Sequence, residues 1–404
     1  MTKEEIYRNC IQDLSVSNSL LLELPTGFGK TRISLDLVNY LVNSKYQKAK
    51  TLNILIFVAK RVHKQTWKEE IEKWGGIKHP TAEINICMEC YESLKNHCSE
   101  KWDIILGDEC HHLGSELRLE LFSTLSFGYF IGLSATISKN LKQVFKYRYN
   151  AEIVYCNIID AIAENILPEL QILLLPLMLD SSNYSETYML HPKGIDPVIV
   201  CTYAEIQKYR WKKNKVLVRC TQRQKSGELN MLILKAKNAY LKTRSKSMEQ
   251  LWLYHCGKRL EFYSDCKMQV VKQILEQIKD HRSITFCKTI QQAEQIGKWC
   301  IHSKNSDANR IYNDFNSGKI DHITAVNILN ENANLVNCKY AIFCNLSSSD
   351  VVQEQRIGRS LRHPSPVIVI PYYKNTREEE IVQKYIEGFD SKYVRTISSV
   401  SDIV

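Results

Sequence analysis

The chain has 404 residues, 44% of them hydrophobic, and a formal net charge of +10, which sets an expectation of two or three domains at about 150 residues each with ample material for buried cores. No apolar run approaches the ~20 residues of a membrane span, and the charged start from Met1 to Asp13 is unlike a secretory signal, so a cytoplasmic setting is expected. Fourteen cysteines scattered through apolar segments lack the spacing of a disulfide framework and fit free buried thiols.

In the first 160 residues short apolar, β-rich runs alternate with amphipathic stretches: Leu20 to Leu22, Asn53 to Ala59, Ile84 to Cys87, Asp103 to Gly107 and Phe130 to Leu133. That alternation predicts a parallel sheet with helices on both faces. Cys87, Cys90, His97 and Cys98 mimic a zinc spacing, yet Ile84 to Cys90 alternates as a strand does and no second close cysteine pair completes a tetrahedral set. A strand is the preferred reading there. Ile158 to Leu179 reads as a helix and a return strand leaving the first domain. From Asp180 to about Lys267 the pattern loosens, with turn signals at Ser181-Ser182-Asn183 and His191-Pro192-Lys193-Gly194 and one basic helix expected over Glu228 to His255. Its apolar residues Leu229, Leu232, Ile233, Ala236 and Tyr240 fall at helical spacing. Alternation then resumes with helices at Met268 to Ile278, Gln291 to Trp299 and Val351 to Ser360. The strands expected with them are Ser283 to Cys287, His322 to Ile328, Tyr340 to Cys344 and Val367 to Pro371, a second α/β unit. The expected division is therefore 1–165, a linker and basic insertion over 166–266, and 267–404.

Charge is concentrated in the middle segment. Cys201 to Leu260 carries 15 Lys and Arg against 3 Glu, an excess of +12 that leaves −2 for everything else. Such a block is either a footprint for nucleic-acid phosphate or a solvated helical face.

The strongest motif is Leu24-Pro25-Thr26-Gly27-Phe28-Gly29-Lys30-Thr31, which follows the first apolar run and opens an amphipathic stretch. A glycine loop between strand and helix turns backbone N–H groups toward phosphates, leaving Lys30 to reach the β/γ-phosphates and Thr31 to bind Mg²⁺. Leu24 stands where the general phosphate-loop pattern has glycine. Asp108-Glu109-Cys110-His111 ends the fourth strand, where ligands of parallel sheets gather. One carboxylate there can hold a metal while its neighbour activates water. Ser134-Ala135-Thr136 ends the next strand, and Gln355, Arg359 and Arg362 recur at i, i+4, i+7, one face of a helix.

Taken in order, these segments resemble the superfamily 2 helicases and translocases, in the DExH branch that includes phage helicases and the motor subunits of type III restriction enzymes. The resemblance implies an α/β fold of two tandem RecA-like parallel-sheet domains, with a basic, partly helical insertion between or within them and ATP in the cleft the domains form. It also implies that Pro25 to Thr31 bind the nucleotide, that Thr31 and Asp108 hold Mg²⁺, and that Glu109 activates water. Arg359 and Arg362 would be arginine fingers with Gln355 near the attacking water, and His111, Ser134 and Thr136 would couple the nucleotide to the track. Weaker motifs resemble the family's nucleic-acid contacts: Lys60 and Arg61 after the second strand, Glu89 to Ser93 with Tyr91, and Lys288 and Thr289 after Thr285 to Cys287. Contacts of this sort grip the backbone without reading sequence. Asn330 to Leu335 departs from the family: Asn332 can replace a glycine because Asn tolerates left-handed angles, whereas Asn334 in place of an acid loses a charge. The glutamine that reads adenine in many relatives has no counterpart near the start.

An ATP-driven motor on DNA is the favoured reading, alone or within a larger replication, recombination or restriction complex. An RNA helicase, a translocase that does not unwind, and a binding or annealing module with a weak ATPase are the alternatives. Intact Lys30, Asp108, Glu109, Arg359 and Arg362 argue against the last.

Overall fold

A computed structural model describes residues 2–326, 335–347, 349, 352, 356–358 and 362–403. The chain forms two units: Met1–Leu170 with Asn330–Val336 and Ser348–Pro366, and Gln171–Leu329 with Asn337–Ser347 and Val367–Val404.

The first unit begins with α1 (Lys3–Val16), started by a Thr2 and Glu5 capping box, and β1 (Ser19–Glu23), in which all five residues are buried. It continues through α2 (Lys30–Lys45), β2 (Thr51–Val58), α3 (Arg61–Lys73), β3 (Glu83–Cys90), β4 (Lys101–Asp108), α4 (Glu116–Ser123), β5 (Ser126–Ser134), α5 (Lys139–Tyr149), β6 (Glu152–Tyr155) and α6 (Ile158–Ala163). The sheet runs β3-β2-β4-β5-β1-β6 with every neighbouring pair parallel. A parallel sheet is covered on both faces, so its inner strands are continuous apolar runs such as Leu20-Leu21-Leu22. Phe122, Phe130 and Phe145 pack one face with centroids 4.9 to 5.4 Å apart. These ring contacts fix where β5, α4 and α5 meet.

The second unit contains β7 (Gln171–Leu177), β8 (Glu186–Leu190), β9 (Asp196–Thr202), β10 (Asn214–Cys220), α7 (Gln222–Thr243) and α8 (Lys246–Gln277). It continues with β11 (Ser283–Phe286), α9 (Ile290–Ile296), β12 (Cys300–Ile301), α10 (Ala308–Asn316), β13 (His322–Ala325), β14 (Tyr340–Phe343), β15 (Val367–Tyr373), α11 (Arg377–Ile386) and β16 (Val394–Thr396). A seven-stranded sheet, order β12-β13-β11-β14-β15-β7-β16, is again parallel throughout. The fold is thus two RecA-like parallel-sheet α/β units. Lys267 of α8 and Glu378 of α11 form a buried ion pair of 2.6 Å, and Glu378 also accepts from the Tyr373 N–H at 3.1 Å. The pair locks these helices to the end of β15.

Two expectations for the middle segment are corrected. The single basic helix over 228–255 is a hairpin of two helices, of 22 and 32 residues, because Arg244 turns left-handed at φ +51° and Ser245 starts the second. The loosened stretch before it is a three-stranded sheet, β8-β10-β9, with β8 antiparallel and β9 parallel to β10. All fourteen cysteines are free thiols. Among the described residues no helix is long and apolar enough to cross a membrane.

Candidate active site

The loop after β1 takes its shape from two glycines. Gly27 at φ +92° and Gly29 at φ +101° adopt backbone angles that side chains resist. Between them the Phe28 ring is wholly buried and its N–H bonds to the Pro25 carbonyl at 3.2 Å, so Phe28 anchors the loop and offers the cavity no side chain. Gly29 caps α2, and Lys30 at the first position donates from Nζ to the Leu24 carbonyl at 3.0 Å. That bond bends the ammonium back over the loop and the N-terminus of α2. A cation and a helix N-terminus converging in this way make an anion site.

Parallel pairing of β4 with β5 and of β5 with β1 sets three carboxyl ends side by side. Asp108 is buried at the end of β4, its Oδ2 accepting from Trp67 Nε1 at 2.9 Å and its carbonyl from the Tyr91 hydroxyl at 2.8 Å. Glu109 follows at φ +51°, a left-handed angle that swings its carboxylate beside Ser134 and His111. His111 Nδ1 lies 3.0 Å from Ser134 Oγ and 3.2 Å from Glu109 Oε2, while Ser134 Oγ donates to the Thr136 carbonyl at 2.8 Å. With the serine proton committed to Thr136, the set is satisfied when His111 carries its proton on Nδ1 and shares it between the serine and the carboxylate. The three residues expected to couple the nucleotide to the track thus form one chain of bonds. Glu23, at the end of β1, accepts from the Ile137 N–H at 2.8 Å and pairs with Lys142, which fixes the segment after Thr136.

A cavity of 340 Å³ within the first unit is lined by Thr26, Gly27, Gly29, Lys30, Thr31, Asp108, Glu109 and Arg362. Thr31 and Asp108, 77 positions apart in sequence, are brought to one cavity by the order of the strands that precede them. Gly358 is packed so tightly that a Cβ there would stand 2.3 Å from the Thr26 Cβ, and one on Gly27 would meet Arg362 Cζ at 3.9 Å. The outer wall holds side chains that no motif singled out: Arg32, Glu70 and Trp74. The Arg32 guanidinium lies 4.1 Å from the Trp74 ring centroid, and Trp74 Nε1 donates to Glu70 at 2.7 Å. A flat, cation-backed wall beside an anion site suits a heterocyclic ring. Trp67 of α3 reaches Asp108 because β2, which leads into α3, pairs with β4.

The remaining candidates distribute unevenly. Lys60 and Arg61 are exposed at the start of α3. Tyr91 is corrected: it is 1% exposed, stacked on Phe57 with its hydroxyl on the Asp108 carbonyl, so it braces β4 and touches no external strand. Lys288 is partly exposed, and Thr289 caps α9 by accepting from the Gln292 N–H at 3.2 Å. Gln355, Arg359 and Asn330 to Asn334 lie outside the described residues. Of the zinc-like spacing, Cys87 and His97 come together, their donor atoms lying within 4.8 Å of each other and of Glu89, but Glu89 pairs with Lys64 at 3.1 Å and His97 with Glu100 at 3.0 Å. Cys98 is turned toward the Leu94 and Leu121 carbonyls.

Residues 2–139 match the family described as "Type III restriction enzyme, res subunit", and residues 266–364 match "Helicase conserved C-terminal domain". The chain belongs to the superfamily 2 helicases and translocases. It is accordingly a helicase-type, nucleic-acid-dependent ATPase. It is 22% identical over 361 residues to the DNA 3'-5' translocase XPB2 of Sulfurisphaera tokodaii, covering 85% of this chain and 74% of that protein. The fold is shared with Saccharomyces cerevisiae Dbp5 bound to RNA and ADP BeF3, at 12% identity and a TM-score of 0.55 over 96% of this chain and 86% of that one. It is shared too with the ATP-dependent Type ISP restriction-modification enzyme LlaBIII bound to DNA, at 13% identity and a TM-score of 0.59. That match covers 100% of this chain but 32% of the enzyme, so the chain spans about a third of its length.

Proposed function

We propose that this superfamily 2 enzyme is a DNA motor that hydrolyses ATP with Mg²⁺ at the loop of Gly27 and Gly29 and converts each turnover into movement along a strand. The observation that carries the reading is the convergence of Lys30, Thr31, Asp108, Glu109 and Arg362 on one 340 Å³ cavity. In the proposed assignment Lys30 and the N-terminus of α2 hold the phosphates, and Thr31 and Asp108 hold the metal ion. Glu109 takes the proton of the attacking water, and Arg359 and Arg362 offset the charge that grows on the transferred phosphoryl group. The bond chain from Glu109 through His111 and Ser134 to Thr136 gives the state of the carboxylate a route to the carboxyl end of β5.

DNA is favoured over RNA because the translocase relative and the restriction-enzyme neighbour are both described with DNA, although Dbp5 is described with RNA. The deciding experiment is ATP turnover measured in parallel with single-stranded DNA, duplex DNA and RNA, using the parent, Lys30→Ala and Glu109→Gln. Stimulation by DNA alone, abolished in both variants, is the expected result. Stimulation by RNA alone assigns the other track, and turnover indifferent to all three with variants equal to the parent overturns the motor.

A further inference from the structure

A cavity of 690 Å³ opens in the second unit between the β8-β10-β9 sheet and the α7 and α8 hairpin, among residues that belong to neither parallel sheet. Its size falls within the few hundred to about 1,000 Å³ of ordinary ligand sites. Two aromatic rings in its lining are poorly covered: Trp211 is 92% exposed and Tyr254 is 57% exposed. A nearly bare tryptophan on a pocket wall is unusual, since that ring is among the most buried on average. Of the acidic groups of the lining, Glu228 pairs with Arg210 at 2.6 Å and Glu261 with Lys258 at 2.8 Å, while Asp265 accepts from Gln292 Nε2 at 2.6 Å; the lining's Lys225 pairs with Glu186 at 2.8 Å. Lys235 lines the same cavity with no ion-pair partner among the described residues, and Lys212 and Lys213 follow Trp211 directly.

Flat rings, an apolar floor, the lysine at 235 and the two exposed lysines that follow Trp211 in the chain select for a ligand that is flat, aromatic and anionic at once. We propose that this cavity takes an unpaired nucleotide of a nucleic-acid strand, its base against the aromatic lining and its phosphates on the basic rim. The proposal rests on the reading of the chain as a strand motor. It adds a site that senses bases, whereas the phosphate grip expected of the two sheets does not. A duplex keeps its bases stacked and would not supply one. An acidic peptide would satisfy the lysines but leave the rings uncovered.

The test is anisotropy binding of the full chain to a labelled single strand and to the same strand carrying abasic sites, with the parent, Trp211→Ala, Tyr254→Ala and Trp211→Phe. Base-to-aromatic stacking predicts that the parent prefers the intact strand by about 5- to 150-fold. Trp211→Ala and Tyr254→Ala should lose that preference, Trp211→Phe should keep most of it, and ATP turnover without nucleic acid should be unchanged in all three. Strand-stimulated turnover in the parent together with alanine variants that still discriminate overturns the pocket and leaves the motor standing. A parent that binds neither strand and is stimulated by none overturns both. Displacement of the intact strand by an acidic peptide as readily as by unlabelled strand reassigns the cavity to protein and overturns the proposal.

Discussion

Glu109 carries a backbone angle of φ +51° that costs a residue with a side chain about 1–2 kcal/mol. The fold bears that cost at the one carboxylate that reaches both His111 and Ser134. Replacing Glu109 with Gln keeps the shape and the left-handed turn while removing the proposed base. ATP turnover should fall by roughly 10²- to 10⁴-fold, with nucleotide affinity within a few-fold of the parent, as read by kcat beside equilibrium binding. A Glu109→Gln variant with parental kcat would assign the proton to another group. Trp67 supports the neighbouring carboxylate through its 2.9 Å bond to Asp108. Trp67→Phe keeps the ring and loses the donor, so the Asp108 carboxylate is less firmly aimed. If Asp108 holds the metal as proposed, the Mg²⁺ concentration for half-maximal turnover should rise several-fold, because an orienting partner of that ligand is removed. A change in kcat with no change in Mg²⁺ dependence would instead mark Trp67 as packing alone.

At the scale of elements, glycine separates contact from propensity. Gly358 sits in a helical turn over 356–358 where a methyl would stand 2.3 Å from Thr26, whereas Gly227 is exposed in α7 with nothing within 4 Å. Gly227→Ala should therefore stabilise the chain by about 0.5–1 kcal/mol through helix propensity. Gly358→Ala should push the turn away from the phosphate loop and lower ATP turnover, with thermal melting and turnover measured on both variants. Equal behaviour of the two would mean that the approach of residue 358 to Thr26 has no part in hydrolysis. The inner strands of both parallel sheets were legible in the sequence because strands buried on two faces read as unbroken apolar runs, as at Leu20 to Leu22 and Val367 to Pro371, whereas the short edge strands β6, β12 and β16 were not. The small sheet was not, since β9 leaves Val198 and Val200 half-exposed and β8 is only partly buried, so neither gives a clean alternation. The hairpin of α7 and α8 was hidden by continuous helical periodicity across Arg244, whose left-handed turn no proline or glycine announces. Tyr91 shows the converse: its place at a strand end suggested a surface contact, and its burial follows from Phe57 on the adjacent strand.

At the scale of the whole molecule, charge and site are held in different units. The first unit contains the 340 Å³ cavity and its catalytic candidates, whereas the segment from Cys201 to Leu260, with 15 basic residues against 3 acidic, belongs to the second. A cation block remote in sequence from the proposed hydrolytic residues would act on binding, through counterion release, rather than on chemistry. Lys212, Lys213 and Lys215 are the densest part of that block, and the first two are exposed beside Trp211. Replacing all three with Ala should weaken binding to single-stranded DNA most at low salt. The slope of log affinity against log salt should flatten by about 2, since each phosphate contact on a single strand contributes roughly 0.7. ATP turnover without nucleic acid should stay at the parental value because none of the three lines the cavity of the first unit. Affinity measured from 50 to 300 mM salt checks this, and a triple variant with the parental slope would mean that the concentrated charge faces solvent and the grip on the strand lies elsewhere.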